Sequence, residues 1–247
     1  MSRKIYPNNQ LNKHNKQKSC LQKLFNLKPN NKFILGIIDP QNDFCEEGSL
    51  AVFDANKIFS HINKLRILCK DNNINTFISQ DYHPHTHMSF ASTHQAEVFS
   101  TKKLNLVMEN NEKITVEQKM WPKHCVHGTK GAEFYKDLII FKSDIILQKG
   151  TKINVESYSA FGDEFDNRYE NTGLNSVLRL KKITNIILVG LATDYCVYNT
   201  ALDAIKLGYN VHIILSCVRG VDSKTTDTAI YDLESKGVLF YAEVSEF

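Results

Sequence analysis

From residue 173 onward the chain alternates apolar runs with segments of helical period, and few architectures accept that pattern. Leu174 to Lys182 reads as a helix, Asn185 to Val189 as a strand, and Tyr195 to Leu207 as a helix stopped at Gly208. Val211 to Leu215 reads as a strand, Lys224 to Lys236 as a helix ending at Gly237, and Val238 to Ala242 as a last strand. Strands that are apolar throughout, joined by amphipathic helices, predict an α/β fold with a mostly parallel central sheet and helices on both faces. The first half fits the same plan. Phe33-Ile-Leu-Gly-Ile-Ile38 reads as a buried strand ending at Asp39-Pro40, and residues 54 to 71 carry Ile58, Ile62, Leu65 and Leu68 at helical spacing. Asn75 to Ser79 is a strand closed by Asp81-Tyr-His-Pro84, and Ile145 to Gln148 is a strand ending at Lys149-Gly150. The stretch from 99 to 120 is polar and reads as a long irregular excursion.

The 247 residues suffice for one sizeable core. Charge divides them unevenly. Residues 1–32 hold eight basic side chains and no acidic one, while the remainder holds 22 basic and 27 acidic. The reading is a basic, Asn-rich extension at 1–32, disordered or loosely docked, followed by a single domain at 33–247. Leu21 to Leu27 have the spacing of a short amphipathic helix. No aromatic residues interleave with the leader's lysines in the manner of a base-reading module, so no nucleic-acid partner is expected. No run of about 18 apolar residues occurs, so no membrane span is expected. The N-terminus lacks an apolar signal core, and Cys20, Cys45, Cys69, Cys125, Cys196 and Cys217 follow no metal-finger or redox spacing. Reduced thiols in a cytoplasmic setting follow, and one of them is then available as a nucleophile.

Parallel sheets place chemistry at the carboxyl ends of their strands. Those ends carry Asp39, Asp81, Lys149 and the loop leading to Cys196. An acid, an acid, a base and a thiol at four strand tips are hard to explain by packing. Cys196 follows Gly190-Leu-Ala-Thr-Asp-Tyr, a strand, tight loop and helix start where Thr193 or Asp194 can cap the first turn. A helix N-terminus favours the thiolate and offers backbone N–H groups to an oxyanion. Taken alone, Cys196 also fits a small buried hydrophobe. Asp39, half-buried beside Pro40 with its pKa raised, would be the base, and Lys149 the opposite charge; together the three fit covalent catalysis. Asp81 and His83, two residues apart, offer a metal pair that His124 would complete with positions left open. His85, His87 and His94 read as solvated loop histidines. Phe44 and Trp121 would flank a flat ring, or serve as ordinary core aromatics.

Five blocks then resemble a known family. Asp39-Pro-Gln-Asn-Asp-Phe44 with Gly48-Ser-Leu50, Asp81-Tyr-His-Pro84 with Met88-Ser-Phe-Ala91, Trp121-Pro-Lys-His-Cys-Val126, Lys149-Gly150 with Ser157-Tyr-Ser-Ala-Phe161, and Gly190-Leu-Ala-Thr-Asp-Tyr-Cys-Val197 occur in the order found in nicotinamidases of the isochorismatase-like cysteine hydrolases. Tyr82 stands where many relatives have Trp.

The resemblance implies a three-layer α/β/α fold and hydrolysis of nicotinamide, with pyrazinamide also accepted. It implies Asp39, Lys149 and Cys196 as catalytic triad, and Asp81, His83 and His124 as ligands of one divalent metal ion, zinc first, with iron or manganese as alternatives. It further implies a cis Leu191–Ala192 bond, an oxyanion hole from Ala192 and Cys196, and pocket walls from Phe44, Trp121, Tyr158, Leu191 and Ala192. Self-association into a homo-oligomer is implied as well. Isochorismatases and other amidases of this fold are the nearest alternative, and the complete metal set argues against them.

Overall fold

The computed structural model describes residues 32–107, 113–162 and 172–244. The leader up to residue 31, with its expected Leu21–Leu27 helix, lies outside the described residues. Six strands form one parallel sheet: β1 (Phe33–Ile38), β2 (Asn75–Asp81), β5 (Ile145–Lys149), β6 (Asn185–Leu191), β7 (Asn210–Arg219) and β8 (Leu239–Tyr241), in the order β5-β2-β1-β6-β7-β8. Among the described residues four α-helices accompany them: α1 (Ile58–Asp71), α2 (Leu174–Leu180), α3 (Tyr198–Lys206) and α4 (Ser223–Ser235).

Period-two alternation in β1 feeds two cores. Phe33, Leu35 and Ile37 pack with Ile58, Phe59, Ile62 and Leu65 of α1 on one face. Ile34 and Ile38 pack with Leu174, Leu178, Ala201, Ala204 and Leu233 of α2, α3 and α4 on the other. Each such fully buried aliphatic side chain contributes about 1.5–3 kcal/mol, so β1 is apolar on both faces from Phe33 to Ile38 and meets its first polar residue at Asp39. This is the expected α/β architecture. Among the described residues no helix is long and apolar enough to cross a membrane.

Three local expectations change. The stretch from 99 to 120 is not irregular: β3 (Thr101–Val107) and β4 (Lys113–Lys119) pair antiparallel as a separate two-stranded sheet. Leu104 and Leu106 flank Asn105 and join Met88, Ala91 and Met120 in a third, small core, so the period-two signal is short and is masked by Lys102 and Lys103 before it. The helix expected from Tyr195 begins with one wide turn over Thr193–Val197, closed by Val197 N–H to Ala192 O at 3.1 Å, and becomes regular only at Tyr198. Neither Thr193 nor Asp194 caps it. Asp194 instead accepts from the Val221 amide at 2.9 Å and the Thr225 hydroxyl at 2.5 Å, fastening the turn to the loop before α4. β7 also runs to Arg219, past a register shift against β6 between Leu188 and Gly190.

β1 hands the chain to β2 on one side, and β6 hands it to β7 on the other. The crevice between their carboxyl ends is therefore the switch point at which open parallel sheets bind ligands. Gly190 is where β6 closes on β1: its φ is +111°, and a Cβ there would stand 2.1 Å from the Ile38 carbonyl oxygen.

Candidate active site

Strand order sets the first half of the site. In register, Asp81 at the end of β2 pairs with Lys149 at the end of β5, and Ile38 pairs with Gly190. Lys149, Asp81, Asp39 and the Leu191–Cys196 turn thus line up across four neighbouring strands. Lys149 Nζ sits at the centre, buried, 2.9 Å from Asp39 Oδ2 and 3.4 Å from Cys196 Sγ, and bonded to Asp81 Oδ1 and the Ser157 carbonyl. Carboxylate oxygens of Asp39 and Asp81 and the Cys196 sulfur all lie within 4.8 Å of one another.

Asp39 is fully rather than half buried, because it leaves β1 with φ +46° and turns inward, where the Ser79 hydroxyl donates to its Oδ1 at 2.7 Å. Burial lifts its pKa to about 6, against the pull of Lys149 and with a further push from Asp81. The Cys196 thiol departs from expectation. Burial raises it well above the ordinary thiol value, outweighing the nearby Lys149 cation, and Asp39 adds to the rise. A helix start alone does not ionise this sulfur, so a base must take its proton. The raised carboxyl of Asp39 stands beside it.

The second half comes from loops. His83 Nδ1 lies 2.9 Å from the Gly150 carbonyl and His124 Nδ1 2.8 Å from the Pro122 carbonyl. A carbonyl only accepts, so both Nδ1 atoms carry a proton and the Nε2 atoms are the ones turned toward Asp81, whose carboxylate raises the His83 pKa. Those Nε2 atoms stand 3.5 and 3.9 Å from Asp81 Oδ2. One carboxylate oxygen and two imidazole nitrogens, all buried and within 4.8 Å of one another, form a donor set suited to a divalent cation of the zinc, iron or manganese type. Burial, with the neighbouring His83, holds the His124 ring down at about 4, the neutral form a ligand needs. Gly150 packs its bare Cα on the His83 ring; a Cβ would lie 2.4 Å from Cε1, and its φ is +63°.

The expected walls surround these groups. The Phe44 ring is 5.6 Å from that of His124, Trp121 Nε1 donates to Tyr158 Oη at 2.9 Å, and Leu191 and Ala192 are buried across a cis peptide bond. Tyr195, unremarked in the sequence, stands edge-on to Trp121 at 4.7 Å and 5.7 Å from Tyr158. Trp121 and Tyr195 also border a cleft of about 630 Å³ with Leu50, Phe99 and Val221.

A family model for the isochorismatase domain matches residues 33–243. The chain belongs to the isochorismatase family. Within this family it is similar to the nicotinamidase of Escherichia coli, 37% identical over 208 residues that cover 83% of this chain and 92% of that protein. Of solved structures, the Acinetobacter baumanii nicotinamidase pyrazinamidease is 35% identical with a TM-score of 0.75, covering 87% of this chain and 97% of that one. The pyrazinamidase of Pyrococcus horikoshii in complex with zinc is 28% identical with a TM-score of 0.69, covering 85% and 98%.

On this family's sheet some residues prove to matter that sequence reasoning passed over. Gln41 grips the Asp81 backbone twice, its Oε1 accepting from Asp81 N–H at 2.8 Å and its Nε2 donating to Asp81 O at 2.7 Å. Asp43 Oδ2 accepts from the Cys125 amide at 2.7 Å and so anchors the His124 loop. Both lie in the quoted Asp39–Phe44 block, and that block was the available signal. His87 is not a solvated loop histidine. It is buried and stacked 4.2 Å from His83, with Nε2–H donating to Val155 O and the Ser89 hydroxyl donating to Nδ1. His85 and His94 stay outside the cation cluster among the described residues.

Proposed function

We propose that this protein is a nicotinamidase, which hydrolyses nicotinamide to nicotinate and ammonia and thereby serves NAD salvage. One observation carries the mechanism: a buried lysine touching Asp39, Asp81 and the Cys196 sulfur at once, beside two imidazoles whose Nε2 atoms face the same Asp81. Asp39 takes the proton of the Cys196 thiol, and Lys149 at 3.4 Å offsets the charge left on sulfur. The thiolate attacks the carboxamide carbon, and the Ala192 and Cys196 N–H groups hold the oxyanion. Asp39 returns its proton to the leaving nitrogen, and ammonia departs. Asp39 then draws a proton from water, which adds to the nicotinoyl thioester; collapse releases nicotinate and restores the thiol. Phe44, Trp121 and Tyr158 hold the ring flat. Asp81, His83 and His124 would hold a divalent ion, which supplies a Lewis acid for the pyridine nitrogen. Pyrazinamide, with a ring nitrogen in the same place, is the second substrate.

The test is ammonia release from nicotinamide by the full chain and by Cys196→Ala. Release by the wild type and a loss of about 10⁴-fold or more in the variant is expected. Substantial turnover by Cys196→Ala would sink the thioester route, and no release from reduced, zinc-loaded wild type would sink the substrate assignment.

A further inference from the structure

Glu156 is a buried carboxylate that the mechanism above does not use. Its hydrogen bonds are two: Oε1 accepts from the Ser157 amide at 3.0 Å, and Oε2 lies 3.5 Å from Gln118 Nε2. A carboxylate has room for about four donors, and burying one with so few is costly. It stands within 4.8 Å of nitrogens on His83 and His87, and its charge acts on both His83 and His124. Neither near imidazole turns the hydrogen it gives a carbonyl toward Glu156, because His83 Nδ1–H is committed to Gly150 and His87 Nε2–H to Val155. The wider charge balance points the same way. With His83 and His124 neutral, as ligands to a cation must be, Asp39, Asp81 and Glu156 outnumber Lys149, the one amine buried among these described residues. A divalent cation removes that imbalance.

We propose that Glu156 is the second carboxylate of the cation site and tightens the hold of Asp81, His83 and His124 on a divalent ion. The inference rests on the metal reading of those three residues. His87 then serves as a neutral spacer, its ring stacked on His83 and its two nitrogens occupied.

The experiment measures zinc affinity of the full chain by competition with a chromogenic chelator, for wild type, Glu156→Gln and His124→Ala. It is paired with melting of the metal-free proteins. Glutamine keeps the acceptor for the Ser157 amide and removes the charge, at the expense of the long 3.5 Å bond from Gln118. Zinc affinity in Glu156→Gln should fall about 10–100-fold, while the metal-free variant melts at the same temperature as wild type or higher, since an uncompensated buried charge has gone. Wild-type affinity in Glu156→Gln, alongside weakened binding in His124→Ala, overturns this inference and leaves the metal reading intact. Lower affinity with a lower metal-free melting temperature assigns Glu156 to structure and overturns it too. Absence of zinc binding by the wild type overturns both.

Discussion

The strand tips and the long connection between β2 and β5 build the two halves of one site by different means. At the tips, parallel register fixes the side chains: Asp39, Asp81, Lys149 and Cys196 leave strands locked between two apolar cores and are almost wholly buried. In the connection, His83 and His124 sit on loops held to each other by short bridges. His83 N–H bonds to Cys125 O, His127 N–H to His83 O, and Trp121 N–H to Ser89 O, each at 2.8–3.0 Å. Its hairpin, β3 and β4, adds a small core of its own and is otherwise exposed. The first half inherits its precision from the global fold, and the second from a few hydrogen bonds. Asp81 joins them, giving Oδ1 to Lys149 and Oδ2 to the imidazoles.

The sharpest way to break this division is Asp81→Asn, which should damage both halves. Zinc affinity should fall by at least about 100-fold, and alkylation of Cys196 by iodoacetamide should change rate because Lys149 loses a partner. His124→Ala should lose the metal and leave the alkylation rate as it was. Equal behaviour of the two variants would mean that Asp81 does not couple the halves.

A second measurement isolates the strand-tip half through pH. Asp39 must be ionised to accept the thiol proton, and its pKa is raised to about 6. As pH falls through that value the base becomes protonated, so kcat/KM should drop about tenfold per unit below 6 and level off above it. A profile flat down to pH 4 would remove Asp39 from the role of base.

Smaller effects should come from the loop half. Asp43→Ala frees the Cys125 amide and costs about 1–3 kcal/mol. It should raise KM and weaken zinc binding while the Cys196 alkylation rate holds; a matching loss of alkylation would show the halves to be less separate than drawn. Smallest is Glu117→Ala on the hairpin. It breaks an exposed 3.7 Å ion pair with Lys103 and should leave melting and turnover unchanged. A clear fall in turnover would tie the hairpin to the site.

Legibility follows the same division. Asp39, Asp81 and Lys149 stand at the ends of largely apolar strands and Cys196 in the turn after another, and charged residues there stand out because the strands hold none earlier. Asp81, His83 and His124 were readable as ligand types, and the family blocks gave their order. His87 and Glu156 were not readable, since a histidine among loop histidines and a glutamate in a polar stretch carry no periodic signal. The hairpin was masked by lysines on its outer face, and the protonated state of the thiol by the burial that only neighbours impose.

By itself the sequence determined the six strands of the parallel sheet as apolar runs, and the reactive residues that wait at or just beyond the ends of four of them. Those facts follow from local periodicity and from the exclusion of charge from a core. Only the tertiary structure decided that β5, β2, β1 and β6 lie side by side, so that Lys149 meets a carboxylate 110 positions before it and a thiol 47 after it. Hydrophobic burial is non-directional and does not choose neighbours; strand pairing and crossover handedness do. The raised pKa of Asp39, the turn of His83 and His124 toward Asp81 and the burial of Glu156 all depend on that choice.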